Sequence, residues 1–413
     1  MTAEASVDID QFQSLLAQRF LGAPKQDTLG KLKVKAWERF EELGLPSRTN
    51  EVFRYLKMRH LYALRPDFNT TPLSSCSIAP HVFPECVSDV LVFVNGIFTP
   101  SLSKIPEGIV VNTISGAANT YGTLISNGWN RTIKEEIDPF VLVNLALQQD
   151  GAFIYIPPKF RAKAPVQILH FVTGEKLGLM PRTQIFAGAH SEVTFKMSYA
   201  FEGAQNVWMN QVTDLALEDN ANVRFLQHAA GLPEDLWLFD ALRATLKRDS
   251  RLQAVHFTRG SQSVRHDYRV NLTGENGDAC LNGLWILDGK KEAHSHVLMN
   301  HQAPNCRSNQ LFKGVLNGSS QSSFEGKIYV HQAAQKTEAF QRNNNLILSD
   351  GAIANSKPNL EIFADDVKAS HGATVGQLDQ EQVFYMKTRG LDESEADALL
   401  IQGFCAEVLE LMS

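Results

Sequence analysis

The spacing of apolar residues changes twice along this chain. Over roughly the first 70 residues they recur at helical intervals. Phe12, Leu15, Leu16 and Phe20 form one such stripe, and Leu32, Ala36, Trp37, Phe40 and Leu43 a second. Gly44 stands where a helix C′ residue would, and Pro46 follows where a helix cannot continue. The stretch SRTNEVFRYLKMRHLY after it reads as a short helix or an extended arm. From about residue 85 to about residue 370, short apolar runs such as VLVFVNG, VQILHFVTGE, ANVRFLQHAAG, RLQAVHFTRG and LNGLWILDG are broken by Gly, Asn and Asp. Val223 and Phe225, or Leu252, Ala254 and His256, alternate with a period of two, which marks strands with one buried face. Apart from a helix expected near 139–148, long helical stretches between the runs are missing, so the sheet is not of the βαβ kind.

The pattern returns to helices at the end of the chain. Asp379 reads as an N-cap with Gln382 as its capping-box partner, and Gly390 as the stop. The segment DESEADALLIQGFCAEVLELM follows, with Ala396, Leu399, Leu400, Phe404, Val408 and Leu409 on one face. The two helices make a hairpin, and one apolar face is expected to close the end of the β core, whose edges are otherwise open. Three regions result: a helical region with an arm at 1–85, a β core at 86–375, and a helical hairpin at 376–413. About twenty short strands suit a sandwich, a barrel or a β-solenoid, and no repeat of fixed period is visible to choose among them.

Composition narrows the function classes. The 413 residues carry a formal net charge of -6 and 20% charged residues, with a pI near 6.1. A mildly acidic chain without a basic stripe offers no electrostatic reason to expect nucleic acid or an anionic membrane as partner. The start, MTAEASVDID, lacks the basic and apolar segments of a secretory signal, and no apolar run approaches the roughly 18 residues of a membrane span. A cytoplasmic protein is expected. The five cysteines, Cys76, Cys86, Cys280, Cys306 and Cys405, are odd in number and widely spaced, which speaks against a disulfide framework or a metal knuckle.

Common catalytic signatures are missing. No two glycines are separated by a single residue, so no GxGxxG loop exists, and no Gly-Lys pair is followed by Ser or Thr. G-x-S-x-G and HExxH are absent too. The densest ligand set is His294, His296 and His301 in AHSHVLMNH, where the first two share a strand face. Against a metal site stands the reading of three polar positions near the surface. Glu361, Asp365 and Asp366 could bind a cation, but adjacent Asp residues on a strand point to opposite faces, which favours turn capping or partner contacts. His331 and His371 each sit among small residues, where a structural role is the usual one.

The run from Phe324 to Gly390 carries FEGKIYV, AQKT, QRNNNL, KPNLEI, ADDVK, SHGATVGQLD and FY…RG in order. This run resembles the C-terminal core of the SufB/SufD family of iron–sulfur cluster assembly. NHQAPNCRSNQLFKGVL upstream and GLPSRTNEVFRY near the start are similar to the same family, and the HGATVGQLD form and the GLP arm place the chain on its SufD side. The resemblance implies a right-handed parallel β-helix flanked by N- and C-terminal helices, acting as a non-enzymatic scaffold. It implies a SufB-like scaffold subunit paired through the β-helix ends, and a SufC-like ATPase docked on the hairpin through Gln382, Phe384, Tyr385, Arg389, Leu399 and Phe404. Self-pairing of an isolated chain is also within its scope. A nascent Fe–S cluster shared with the SufB-like subunit is implied, with His371 as ligand. Ala369 replaces the cysteine of the family's C-S-H motif and has no ligand atom. ATP would act only through the SufC-like partner, and flavin in the assembled complex is compatible with the family. A polysaccharide-cleaving β-solenoid is the competing class, and it would need carboxylates aligned on one face of the strands.

Overall fold

A computed structural model describes residues 3–22, 28–47, 49–70 and 76–413, with side chains from residue 8 onward. Arg48 of the arm motif lies outside the described residues. The chain opens with α1 (Ala3–Leu21), α2 (Thr28–Leu43) and the short α3 (Met58–Tyr62). β1 (Val90–Val94) and β2 (Ile97–Phe98) form an antiparallel hairpin, and β3 (Val110–Thr113) leads into α4 (Ile114–Glu135) and α5 (Pro139–Leu147). Next come β4 (Ala152–Ile156), β5 (Val166–Glu175), β6 (Gly178–Leu179), β7 (Arg182–Ala187), β8 (Glu192–Gln205) and β9 (Trp208–Leu217). The series continues through β10 (Asn222–Ala229), β11 (Trp237–Leu246), β12 (Arg251–Thr258), β13 (Ser263–Leu272), β14 (Asp278–Leu287) and β15 (Glu292–His301). It ends with β16 (Arg307–Leu316), β17 (Gln321–Val330), β18 (Thr337–Ile347), β19 (Ile353–Ile362) and β20 (Val367–Gly376), followed by α6 (Gln380–Thr388) and α7 (Glu393–Leu409). Among these described residues no helix is long and apolar enough to cross a membrane.

The strands wind into a parallel β-solenoid of about eight turns. Even-numbered strands from β8 to β20 stack on β5 and β1 as one sheet, and odd-numbered strands from β7 to β19 stack on β4 as the other, each ten-stranded among the described residues. The solenoid left open by the strand pattern is therefore the architecture. Its repeat escapes a search for fixed period because the coil length drifts. Asn222 pairs with Arg251, 29 residues on, Trp237 with Ser263, 26 on, and Gln321 with Ile353, 32 on.

The repeat is visible instead at the corners. His190, Asn220, Asp249, Asn276, Asn305 and Lys336 all have φ between 57° and 62° and occupy the same corner of successive coils. Each donates its backbone N–H to a carbonyl in the next coil, as Asn220 does to Arg248 and Asn276 to Pro304. Asn and Asp tolerate this left-handed geometry better than most side chains. At another corner the same need is met by Gly231, Gly260, Gly289 and Gly318, with φ of 65° to 70°.

The two sheets face each other across one apolar core that includes Phe195, Phe225, Leu238, Leu242, Leu281, Phe312 and Ile328. A polar knot is buried at mid-length. Asp240 accepts from Gln211 Nε2 (3.1 Å), from Gln227 Nε2 and from His266 Nδ1 (3.0 Å). Tyr268 bonds Gln227 and meets His256 Nδ1 at 3.1 Å, while the His256 and His266 rings stack at 4.0 Å. A carboxylate inside an apolar core persists only when so fully partnered.

The N-terminal helices cover the outer face of the second sheet, packing Phe12, Trp37, Phe40, Trp129 and Phe140 against Trp208, Trp237 and Phe239. Beside them lies a buried ion network. Glu136 and Asp138, from the turn between α4 and α5, reach Arg243 (2.7 Å) and Arg265 (2.6 Å), and Asp267 joins both arginines at 2.6 and 2.5 Å. Burial alone would raise the Asp267 carboxyl, but Arg243, Arg265 and His296 overcome it and hold it well below the usual carboxylate range. The arm crosses the same face. Phe53 packs under the Arg265 guanidinium at 4.5 Å, Lys57 pairs with Glu292, and Glu51 pairs with Lys357 on β19.

The C-terminal helices differ from expectation. α7 does not close the end of the solenoid; it lies on the outer face of the first sheet, with Cys405 and Val408 over Leu226, Val255, Phe257, Leu284, Leu311 and Val315. These outward apolar residues on β10 to β16 form a strip that α7 covers.

Two tests follow from the packing. A Cβ on Gly283 would sit 2.4 Å from His256 Cε1 and 2.6 Å from Phe312 Cδ1, whereas one on Gly372 would meet nothing within 4 Å. Gly283→Ala should lower unfolding free energy by about 1–3 kcal/mol in chemical denaturation, and Gly372→Ala should stay within about 0.5 kcal/mol of the parent. Burial pushes His301 from 6.5 down to about 4. Between those values the unfolded chain binds the proton and the folded one does not, so stability falls as pH drops through this window and levels off below it. His301→Gln should remove up to about 3 kcal/mol of that acid-side loss, read from denaturation midpoints at pH 7 and pH 4.

Candidate functional site

The last coil of the solenoid has neighbours on one side only. β19 pairs with β17 and β20 with β18, and nothing in the described chain pairs with their other edges. Ile353, Phe363 and Val375 stand exposed around this end. An unpaired pair of parallel edges with apolar residues beside them is a template for further strands.

His371 belongs to this end. On β18, Thr337, Ala339, Gln341, Asn343 and Asn345 are buried and point into the core. Their in-register partners on β20 are Val367, Ala369, His371, Ala373 and Val375. His371 therefore continues the inward column of Gln310 and Gln341, which are joined by a 2.9 Å hydrogen bond. With no coil beyond, its imidazole is open to solvent. Ala369, one inward position earlier, packs half-buried against the core. Across the opening, β19 places Ser356 in the inward row after Phe324, and its hydroxyl is buried without a partner.

The other sequence candidates separate. His294 and His296 do share the outer face of β15, but His294 bonds Ser323 (2.8 Å) and Glu292 (3.4 Å), and His296 bonds Asp267 (2.8 Å). His301 points into the core and meets Ser308 at 2.9 Å. The trio cannot share an ion, and no group of three or more His, Cys, Asp or Glu among the described residues is arranged to hold one. Asp365 and Asp366 occupy the exposed corner between β19 and β20, where the Asp366 carbonyl accepts from Lys336 N (2.6 Å). Glu361 pairs with Lys327 at 2.6 Å, and His331 bonds Asn300 at 2.8 Å. The cysteines are free, and burial pushes the thiols of Cys86 and Cys405 up to about 11, away from thiolate chemistry.

The hairpin presents a second surface. Phe384 is 68% exposed and Tyr385 58%, so neither packs within the hairpin, whose contact on α6 is Val383. Gln382, Arg389 and Leu399 are exposed as well, and Arg389 lies on the Tyr385 ring with a 2.9 Å bond to its hydroxyl. Phe404 faces the other way, toward the sheet, under the ammonium of Lys313 at 4.9 Å. Large exposed aromatic side chains beside an arginine have the composition of a protein-docking surface. The sequence reading missed the contacts made by Lys313, Arg342 and Glu407 beneath α7. They join residues 65 and more positions apart, and no local pattern signals them.

Comparison with known proteins gives matches along most of the chain. Residues 170–404 match the family described as SUF system FeS cluster assembly, SufBD core domain, and residues 9–168 match the SufBD protein N-terminal region. An iron–sulfur cluster assembly SufBD family protein of Synechocystis sp. is 30% identical over 419 residues, covering 97% of this chain and 91% of its own. The iron–sulfur cluster assembly protein SufD of Escherichia coli is 30% identical over 397 residues, 89% of this chain and 86% of that one. SufD of Bacillus subtilis is 26% identical over 306 residues, 73% and 70% of the two chains.

Because the His371 side chain is exposed and makes no hydrogen bond among the described residues, His371→Ala should shift unfolding free energy by no more than about 0.5 kcal/mol. Circular dichroism melts of the two proteins check this.

Proposed function

Since the chain belongs to the SufBD family of the SUF iron–sulfur cluster assembly system, as a SufD-type member, we propose that it is a scaffold subunit that works with a SufB-like subunit and a SufC-like ATPase. The observation that carries this reading is the open last coil, where two unpaired strand edges flank an exposed His371. A homologous solenoid with the same kind of open end offers matching edges, so main-chain pairing would bind it and side-chain register would select it. A second copy of this chain fits the same edges when the SufB-like subunit is absent.

On this reading the nascent cluster is cargo held at the seam between the two scaffolds. His371 contributes an imidazole, a ligand that can replace thiolate at iron. Ala369 contributes no sulfur, so thiolates come from the partner. The ATPase docks on Gln382, Phe384, Tyr385, Arg389 and Leu399, the outward residues of the hairpin. Phe404 supports that surface from below, since it is turned toward the sheet. Nucleotide energy reaches the seam only through docking that differs between the open and closed ATPase.

Co-expression with the SufB-like and SufC-like chains of the same organism tests the proposal. The parent should co-purify with both. Phe384→Ala with Tyr385→Ala should weaken ATPase capture by about 30-fold or more, at about 2 kcal/mol for a truncated anchor, while SufB-like pairing persists. His371→Ala should leave the complex assembled and lower the yield of reconstituted cluster, measured by visible absorbance. Capture of neither chain by the parent would remove the scaffold reading.

A further inference from the structure

β20, the strand that carries His371, is weakly held. Its residues are exposed or half-buried throughout, and it pairs with β18 alone. The chain does not stop there, however. It passes through residues 377–379 straight into α6 and α7, so β20 and the hairpin are one covalent unit. α6 buries only Val383, hence the far end of this unit is anchored wherever α7 is anchored.

That anchor has an apolar and a polar part. Cys405 and Val408 seat in the strip on β10 to β16. The polar part has two limbs. Arg224 on β10 donates to the main-chain oxygens of Leu411 (3.2 Å) and Ser413 (2.8 Å). Glu407 places Oε2 2.8 Å from Lys313 Nζ on β16 and Oε1 3.2 Å from Arg342 Nη2 on β18, the limb nearest β20. Lys313 is only 6% exposed, and its ammonium also donates to the Phe404 carbonyl at 2.9 Å. Arg342 pairs in register with Gly372, the residue next to His371, and Gln341 pairs with His371 itself. A single carboxylate thus ties the hairpin to the strand on which the His371 strand hangs. The Lys313 hydrogen bond holds the Glu407 carboxyl below its ordinary range, as expected for an ionised clamp.

We propose that Glu407 is a positioning residue for His371, clamping α7 to Lys313 and Arg342 so that β20 stays in register on β18. A partner that draws the hairpin off the sheet then acts on His371 through this clamp. With α7 seated, the Lys313 ammonium is buried and depends on the Glu407 carboxylate and the Phe404 carbonyl, and lifting α7 removes both partners together and returns it to water. This inference rests on the reading of His371 as a ligand and of the hairpin as a docking surface only for its purpose, since the mechanical link is internal to the chain.

Hydrogen–deuterium exchange of the isolated full chain, at a dilution where sedimentation shows it monomeric so that no second copy shields β20, tests it. In Glu407→Gln, amides of 367–376 should exchange about tenfold faster or more, while β10 to β16 keep their protection. Arg342→Gln removes the β18 limb alone at a half-exposed residue, and should raise exchange about threefold in β18 and β20. Unchanged exchange at 367–376 in both variants, or a rise spread evenly over all strands, overturns the proposal. The measurement needs neither partner, so it separates from the co-purification test. Faster exchange with no ATPase capture by the parent would leave the clamp standing and the docking reading fallen.

Discussion

Parallel stacking of coils is the constraint on which this structure depends. Each strand satisfies its backbone N–H and C=O groups through the coil before it and the coil after it, so a coil at either end is left half unpaired. At the first end the chain resolves this itself. The two-residue β2 and the antiparallel β3 terminate the sheets, and α4 and α5 fold beside them. At the last end it does not, and β19 and β20 keep open edges. A solenoid capped at one end only leaves two strand edges free to accept further strands.

The outer faces are handled in two different ways. On the second sheet, aromatic residues and a buried ion network meet the N-terminal helices and the arm. Buried pairs of this kind add little net stability, but breaking one strands a charge, so they favour one docking geometry over others. On the first sheet the strip from β10 to β16 is covered by α7, and its seat is mostly apolar, with Glu407 on Lys313 and Arg342 and with Arg224 on the main-chain oxygens that follow α7. The contrast suits a fixed N-terminal cap and a hairpin that can be released.

The candidate site illustrates how little local chemistry is needed where topology does the placing. Among the described residues the His371 side chain has no hydrogen bond or ion pair, and its backbone is unstrained. It is set apart because the inward column of Gln310 and Gln341 runs out of coils at that position. Of the inward residues of β20, Val367 and Ala369 remain half-buried against the core while His371, Ala373 and Val375 are exposed, so the chemistry there depends on which residue occupies the open positions. Imidazole at 371 and a methyl group at 369 define a nitrogen donor without a thiol.

Much of the fold was legible from spacing. Helical stripes at both ends and period-two strands between them are local properties, and the helix expected near 139–148 is α5. The 22-residue α4 between β3 and β4 was missed, because Gly116, Gly122 and Gly128 mask a helix that is held by packing its few apolar residues on the N-terminal core. The choice of solenoid over sandwich was not legible from that pattern, because both bury one face of each strand. The recurring Asn, Asp and Gly at the corners carried the repeat, and the drift of coil length hid it. The motifs from Phe324 to Gly390 identified the family, yet their roles came from stacking. KPNLEI and SHGATVG are the two terminal strands, and the Glu of GLPSRTNEVFRY reaches Lys357 of the first of them. Only the tertiary structure decided that His301 turns inward while His294 and His296 turn outward. It alone decided that Phe384 is exposed, that Phe404 faces the sheet, and that the hairpin lies on a face and leaves the end open. Those outcomes depend on which coils and helices come to lie against one another, and sequence spacing constrains a residue's own strand or helix but not the coil that will lie against it.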